Sequence, residues 1–403
     1  MFLLNTHPDH NAPLMPADAD CLGPAGVAQV ERFLAFRDNA AATPMPALPS
    51  LAKALGVGTI HVKDEGQRLG LGSFKALGGS YAVMRLVLEE AARHLDCEVG
   101  FADLSRPSVR AVASRMTFAC ATDGNHGRSV AQGAQLVGAK SVIFVHGGVS
   151  DERVAAIARF GAEMVRFEGS YDESVAEAAR VAEREGWTIV SDTSWPTYER
   201  IPGLVMQGYT AIAHEALRQL DRPPTHVFVQ AGVGGIAAAL AAHFALTLGV
   251  DRPTFIVVEP SRAACLLATA RAGRLAKVAH DEPTVMAMLE CYEPSMIAWR
   301  VLARAADAFM AVEEEDAVAA MNRLAGPLGA DPAIVSGESG CVGLAGLVRA
   351  LADPAHKRAL GLGASSRILL INTEGATDPG LYEKLVGISP AEVARRTMEV
   401  TPA

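Results

Sequence analysis

The chain has 403 residues, half of them hydrophobic and few aromatic, with a formal net charge of −9. That length allows about two domains and a large core. Acids and bases are interleaved without a basic stripe, which speaks against a nucleic-acid or anionic-membrane partner, and no apolar run reaches the ~18 residues of a membrane span.

The opening segment "MFLLNTHPDHNAPLM" is apolar for only three residues and lacks a basic lead, so no secretory signal is expected from it. Residues 1 to about 45 show little period apart from a helical stretch in "VAQVERFLAF". From about residue 50 an alternation sets in. "SLAKALGV" reads as a helix, "TIHVKDE" as a strand, and "SFKALGGSYAVMRLVLEEAARHL" has apolar residues at helical spacing. "MTFACATDG" is a strand running into a turn, "NHGRSVAQGAQLVG" a helix and "SVIFVHGG" a strand. "SDERVAAIARFG" is a helix with Ser150 as its N-cap and Arg153 in its first turn. "AEMVRFEG", "SYDESVAEAARVAEREG" and "WTIVSDTS" continue as strand, helix and strand.

After a proline-bearing loop, "GLVMQGYTAIAHEALRQL" is a long helix. "THVFVQAGVGG" is a strand entering glycines, "IAAALAAHFALTL" a helix and "TFIVVEP" a strand. Late in the chain, "EEEDAVAAMNRLAG" and "SGCVGLAGLVRALAD" read as helices and "SRILLINTEG" as a strand. Such alternation gives an α/β fold with a mostly parallel sheet covered on both faces. Ligands in such folds gather at strand C-termini, where the glycine-rich turns also fall.

Three turns could hold a ligand. In "VFVQAGVGGIAAAL", Gly232, Gly234 and Gly235 follow a strand and open a helix, a geometry in which backbone N–H groups approach an anion. The same stretch fits GxGxxA, and Glu259 ends the next strand as a ribose-binding acid would, so a dinucleotide, another phosphate ligand and plain tight packing all remain open on this segment alone. In "ATDGNHGRSVA", Asp123, Asn125 and His126 sit between strand and helix, where a bland capping turn is the competing account. In "LGLGSFKALGGSY", Ser73 and Lys75 lie just inside a helix start, preceded by Asp64 and Glu65, which are candidate ion-pair partners for the lysine. A lysine held among apolar neighbours loses part of its preference for the ammonium form. A neutral amine can form a Schiff base. A reactive amine together with a separate phosphate loop points to pyridoxal 5′-phosphate, whereas a nicotinamide enzyme has no use for the imine.

Six cysteines (Cys21, Cys97, Cys120, Cys265, Cys291, Cys341) are scattered without CxxC spacing, as in a cytosolic protein with reduced thiols. No His/Cys cluster has zinc-ligand spacing.

The segments "SFKALGG", "GNHG", the glycine loop and "INTEG" together resemble the fold-type II pyridoxal-phosphate enzymes of the tryptophan synthase β-like superfamily. Within that group, "VKDEGQRLGLGSFKALGGSYAV", "ATDGNHGR", "SDTSW…YERIPGLVMQGY", "DPAIVSGESG" and "INTEGATDP" resemble the diaminopropionate ammonia-lyases over roughly residues 40 to 385. The resemblance implies two open, mostly parallel sheets flanked by helices, with the cofactor between a large domain (1–89 and 201–403) and a small one (90–200). It also implies a homodimer, and α,β-elimination of D- or L-2,3-diaminopropionate to pyruvate and ammonia.

Carried over residue by residue, Lys75 would hold the cofactor as a Schiff base and act as a base, with Phe74 beside it. Asp123 would be a second base on the opposite face, and Asp192 would sit near the substrate's amino end. Asn125 would meet the cofactor's 3-oxygen, and Gly232, Val233, Gly234, Gly235 and Ile236 its phosphate. Thr373 would face the pyridine nitrogen, and Glu338 would lie near the ring. Ser73, Asp123, Asp192 and Tyr292 would contact substrate.

The family pattern is broken at Gly72, where asparagine is common, and at Met288, Glu290 and Tyr292, which replace small residues. These three either add bulk and charge to the pocket or face elsewhere. In the first case the substrate would be another β-substituted amino acid, as in a serine- or threonine-type dehydratase. A non-catalytic cofactor-binding protein is the alternative of a different class. Cys265 and Cys291 match cysteine positions of some relatives, which makes a disulfide there an alternative to free thiols.

Overall fold

The computed structural model describes residues 1–400 except Asn39, Asp123, Ser170 and His280. Among the described residues, ten strands form two sheets: β1 (Phe2–Leu4), β2 (Thr59–Asp64), β3 (Thr117–Ala121), β4 (Lys140–His146), β5 (Glu163–Phe167), β6 (Thr188–Ile189), β7 (His226–Gln230), β8 (Thr254–Pro260), β9 (Ala308–Val312) and β10 (Arg367–Asn372). The larger sheet runs β1-β9-β8-β7-β10-β2 and the smaller β5-β4-β3-β6. Every pairing is parallel except β1 with β9.

The central strands HVFVQ and RILLIN are near-continuous apolar runs because helices cover both faces of the sheet. β1 and β9 have no counterpart in the sequence reading. A three-residue strand carries no alternation to detect, and "AFMAV" is too short to tell from a buried helical turn by pattern. The segment expected as a strand at "WTIVSDTS" narrows to two residues, Thr188 and Ile189.

The helix Lys75–Leu95 packs on the helices Asn125–Val137 and Arg200–Gln219. The glycine pair after Lys75 has a steric cause here: a Cβ on Gly78 would lie 2.5 Å from Cε1 of Tyr209. Ser150 caps Asp151–Ala158 as the sequence predicts, its Oγ accepting from the Arg153 N–H at 3.3 Å.

Behind this layer lies a buried ion cluster. Arg68 donates to both carboxylate oxygens of Glu65 and of Glu215, and Lys63 Nζ donates to Glu215 at 2.7 Å. Glu65 is thus paired with Arg68, and the acids preceding the lysine loop are not the partners of Lys75.

Candidate active site

One cleft, enclosing about 960 Å³ of non-protein space partly open to solvent, gathers loops from the C-terminal ends of both sheets. Lys75 enters from the first turn of its helix, Asp192 from just beyond β6, Asn125 from the turn after β3, residues 232–236 from the turn after β7, and Thr373 and Glu374 from the end of β10. Segments more than 100 residues apart in sequence therefore share one wall.

The Lys75 Nζ donates to Asp192 Oδ2 at 2.6 Å. Burial acts to raise the Asp192 carboxyl, but the Lys75 ammonium outweighs it and holds the group below its ordinary value. His126 donates through Nε2 to the Val190 carbonyl at 2.8 Å, and burial lowers its pKa, so the ring is neutral and its buried Nδ1 has no protein partner. Tyr209 contributes a buried hydroxyl without a partner, which burial keeps protonated.

Asn125 is oriented from two sides. Its Nδ2 donates to Glu374 Oε2 at 2.8 Å, and its Oδ1 accepts from Arg128 Nη1 at 3.4 Å. The amide retains one N–H for a ligand. Gln230 Nε2 lies 2.8 Å from Thr373 Oγ1 and also within 2.6 and 3.0 Å of the Gly340 and Ile371 carbonyls. Burial raises the Glu374 carboxyl, with the charge of Glu338 adding to it.

The glycine loop ends in a helix start. Gly234 has φ +101°, a conformation that strains any side-chain-bearing residue, and Gly235 begins the helix Gly235–Leu248. The first N–H groups of a helix have no acceptor within it and form an anion cradle. Glu259, the acid that the GxGxxA reading assigned to a ribose, points elsewhere. Its two oxygens accept from the backbone N–H groups of Leu266 and Leu267, both at 2.7 Å, and it caps the helix Cys265–Ala272.

Of the residues singled out in the sequence, Lys75, Phe74, Asn125, Asp192, Gly232, Val233, Gly234, Gly235, Ile236 and Thr373 line this one cleft. Ser73, Glu338 and Tyr292 stand outside its lining. Ser73 and Glu338 are buried, each with one unpartnered side-chain oxygen. Tyr292 donates its hydroxyl to Glu290 Oε1 at 2.7 Å. Asp123 lies outside the described residues. Of the three residues that replace small ones in the family pattern, Met288 and Glu290 line the cleft, so the bulk and the charge enter the pocket. Cys265 and Cys291 are not joined in a disulfide. Sequence reasoning passed over Tyr209, Gln230 and Glu374. Two of these sit inside long apolar or strand segments with no local signature, whereas Glu374 follows Thr373 directly and its "TEG" motif was the available signal.

These residues fit pyridoxal phosphate. The Tyr209 hydroxyl and one Glu374 oxygen are buried polar atoms without protein partners in residues that line the cleft, as a polar ligand requires. The amine and the anion cradle share the same enclosure.

Comparison with known proteins agrees with this geometry. The family model described as "Pyridoxal-phosphate dependent enzyme" matches residues 37–374. The diaminopropionate ammonia-lyase of Escherichia coli K12 is 40% identical over 351 residues, covering 85% of this chain and 87% of that one. A crystal structure of the Escherichia coli lyase in complex with an aminoacrylate-PLP azomethine reaction intermediate superposes with a TM-score of 0.85 at 35% identity, covering 96% of each chain. Another, in complex with D-serine, has a TM-score of 0.86 at the same identity and coverage. The chain belongs to the pyridoxal-phosphate dependent enzymes, and pyridoxal 5′-phosphate is its cofactor.

Proposed function

We propose that the protein catalyses α,β-elimination of 2,3-diaminopropionate to pyruvate and ammonia. The observation that carries this reading is the meeting of Lys75, Asp192 and the 232–236 cradle in one cleft, in a chain 40% identical to an ammonia-lyase of that substrate. The cofactor, when bound, supplies an aldehyde for the lysine and a conjugated ring that delocalises the electron pair left by removal of the α-proton.

The chain's own groups do the rest. The backbone N–H groups of the glycine loop would hold the phosphate. Asn125, fixed by Glu374 and Arg128, would offer its remaining N–H to the ring's oxygen substituent. Thr373 would offer a hydroxyl rather than a carboxylate to the ring nitrogen, which would not hold that nitrogen protonated and so would favour loss of a β-substituent over reprotonation. Lys75 would take the α-proton as one base and Asp123 would serve as the second, which would admit both enantiomers. Asp192 remains ionised and would pair with the substrate's ammonium. A complex of D-serine with the Escherichia coli lyase supports acceptance of D-configured amino acids.

The test is direct. Purified holoenzyme should release pyruvate and ammonia from D- and L-diaminopropionate, read by lactate dehydrogenase coupling, and failure with both enantiomers overturns the assignment. Met288 and Glu290 in the lining favour a second reading, in which another β-substituted amino acid is the better substrate. A panel read by 2-oxo-acid formation and ranked by kcat/KM separates the two.

We also infer that residues 90–200 form a small domain that closes on the remainder, and that the protein is a cytoplasmic homodimer. The first is supported by the confinement of the whole β5-β4-β3-β6 sheet to residues 117–189.

A further inference from the structure

The helix Met296–Ala305 takes its N-terminal cap from a distant segment. A serine at the N-cap position ordinarily accepts from an N–H of the first turn. Ser295 stands at that position, yet among the described residues its hydroxyl caps no helix N–H. It hydrogen-bonds instead to the hydroxyl of Ser194 at 2.8 Å, across 101 residues of sequence. Ser194 supplies the cap: its Oγ accepts from the Ile297 N–H at 2.9 Å, and its carbonyl accepts from the Met296 N–H at 3.4 Å. Both serines are buried.

Each serine reaches a different end of the cleft. The Ser295 N–H donates to the Val233 carbonyl at 2.9 Å. That carbonyl shares a planar peptide with the Gly234 N–H, and in a trans peptide the two point in opposite directions. The bond therefore fixes the direction of one donor of the 232–236 cradle. Ser194 follows closely on Asp192, which accepts from Lys75 at 2.6 Å. The segment around it is stiff. The Thr193 N–H donates to Ser191 Oγ at 3.2 Å, the Ser191 N–H donates to the Tyr198 hydroxyl at 3.0 Å, and that hydroxyl donates to the Ile189 carbonyl at 2.7 Å. The exchange of caps thus ties the Asp192 segment to the anion cradle.

We propose that the Ser194–Ser295 hydroxyl pair couples the phosphate cradle to the Asp192–Lys75 pair, so that an anion in the cradle sets the amine for the cofactor's aldehyde. Both serines are positioning residues. The proposal rests on the reading of residues 232–236 as the phosphate cradle, and not on which amino acid is the substrate.

The test uses the full-length chain freed of cofactor and divides the cofactor into its two ends. Pyridoxal condenses with the Lys75 amine, releasing water, and the absorbance of the Schiff base reports its binding. Inorganic phosphate fills the cradle. In wild type, saturating phosphate should tighten pyridoxal binding by about five- to tenfold. That enhancement should be lost in Ser194→Ala and in Ser295→Ala, and Ser194→Thr, which keeps the hydroxyl, should restore it. Ser295→Ala leaves the Ser194 cap and the Ser295 N–H bond in place, and the 2.7 Å ion pair of Arg300 with Glu199 still joins the two segments, so its effect is not that of an unfolded helix end. Equal enhancement in wild type and Ser295→Ala overturns the proposal, as does its absence in wild type when pyridoxal 5′-phosphate binds more tightly than pyridoxal. If pyridoxal 5′-phosphate binds no more tightly than pyridoxal, the cradle reading fails and the coupling falls with it.

Discussion

Lys75 and Asp192 are 117 residues apart in sequence and 2.6 Å apart in space. The lysine was legible because covalent cofactor chemistry leaves a compact local signature, an amine between glycines and beside a phenylalanine. Its carboxylate partner was legible only through the family resemblance, since "DTSW" has no chemistry of its own until the fold closes. Tyr209 and Gln230 were not legible at all, because their roles come from which wall their helix or strand reaches.

Asp192→Asn should lower kcat/KM for diaminopropionate by about 10²–10³-fold, as loss of one partner of a buried charge pair does, and should cost less with serine, which has no β-ammonium to pair. Because the Asp192 pKa is depressed, its pairing with Lys75 contributes stability that is present above about pH 4 and is lost as the pH falls below it. A loss of activity between pH 6 and 8 therefore does not belong to this group. Asp123→Asn should lower turnover of one enantiomer by at least about 10²-fold while sparing the other. Parallel kinetics with D- and L-substrate check this, and an equal loss on both would remove Asp123 from the role of second base.

At the scale of elements, most helices and strands were readable because propensity, period and turn chemistry agree in them. Ser150 shows this, a serine placed where the helix after β4 needs a side-chain acceptor. Glu259 shows the limit. An acid at a strand end following GxGxxA has the pattern of a nucleotide ligand, yet the chain bends so that the carboxylate caps the next helix. Burial pushes this carboxyl up to about 8 against the pull of the two N–H donors. The folded state thus holds the proton more tightly than the unfolded chain, and stability from this group falls as pH rises from about 4.5 to about 8. Glu259→Gln should flatten that slope, as measured by urea unfolding at pH 5, 7 and 9. An unchanged slope would place the ionised carboxylate in the fold at neutral pH.

At the scale of the molecule, the strand–helix alternation indicated a mostly parallel sheet with a ligand at its strand ends, and the family resemblance implied a second sheet. Neither indicated the charged cluster of Lys63, Glu65, Arg68 and Glu215, because buried ion pairs leave no periodic trace. Arg68→Met would leave Glu65 fully buried without a cation and should cost about 3–5 kcal/mol in urea unfolding. Small-angle scattering of the holoenzyme should report the mass of a dimer and a more compact profile once a non-reactive substrate analogue binds. Superimposable profiles would argue against closure of residues 90–200 on the rest.

The same cluster bears on synthesis. Arg68 and Glu215 are separated by 147 residues, and β10, the strand beside β2 in the sheet, comes later still. At ~5–20 residues per second of translation, the segment carrying the future catalytic amine leaves the ribosome on the order of 10 s before its distant counter-charges, Asp192 and Glu215, exist. Through that interval it is a cationic, half-apolar stretch with nowhere to dock, and it is there that a holdase chaperone would be needed most.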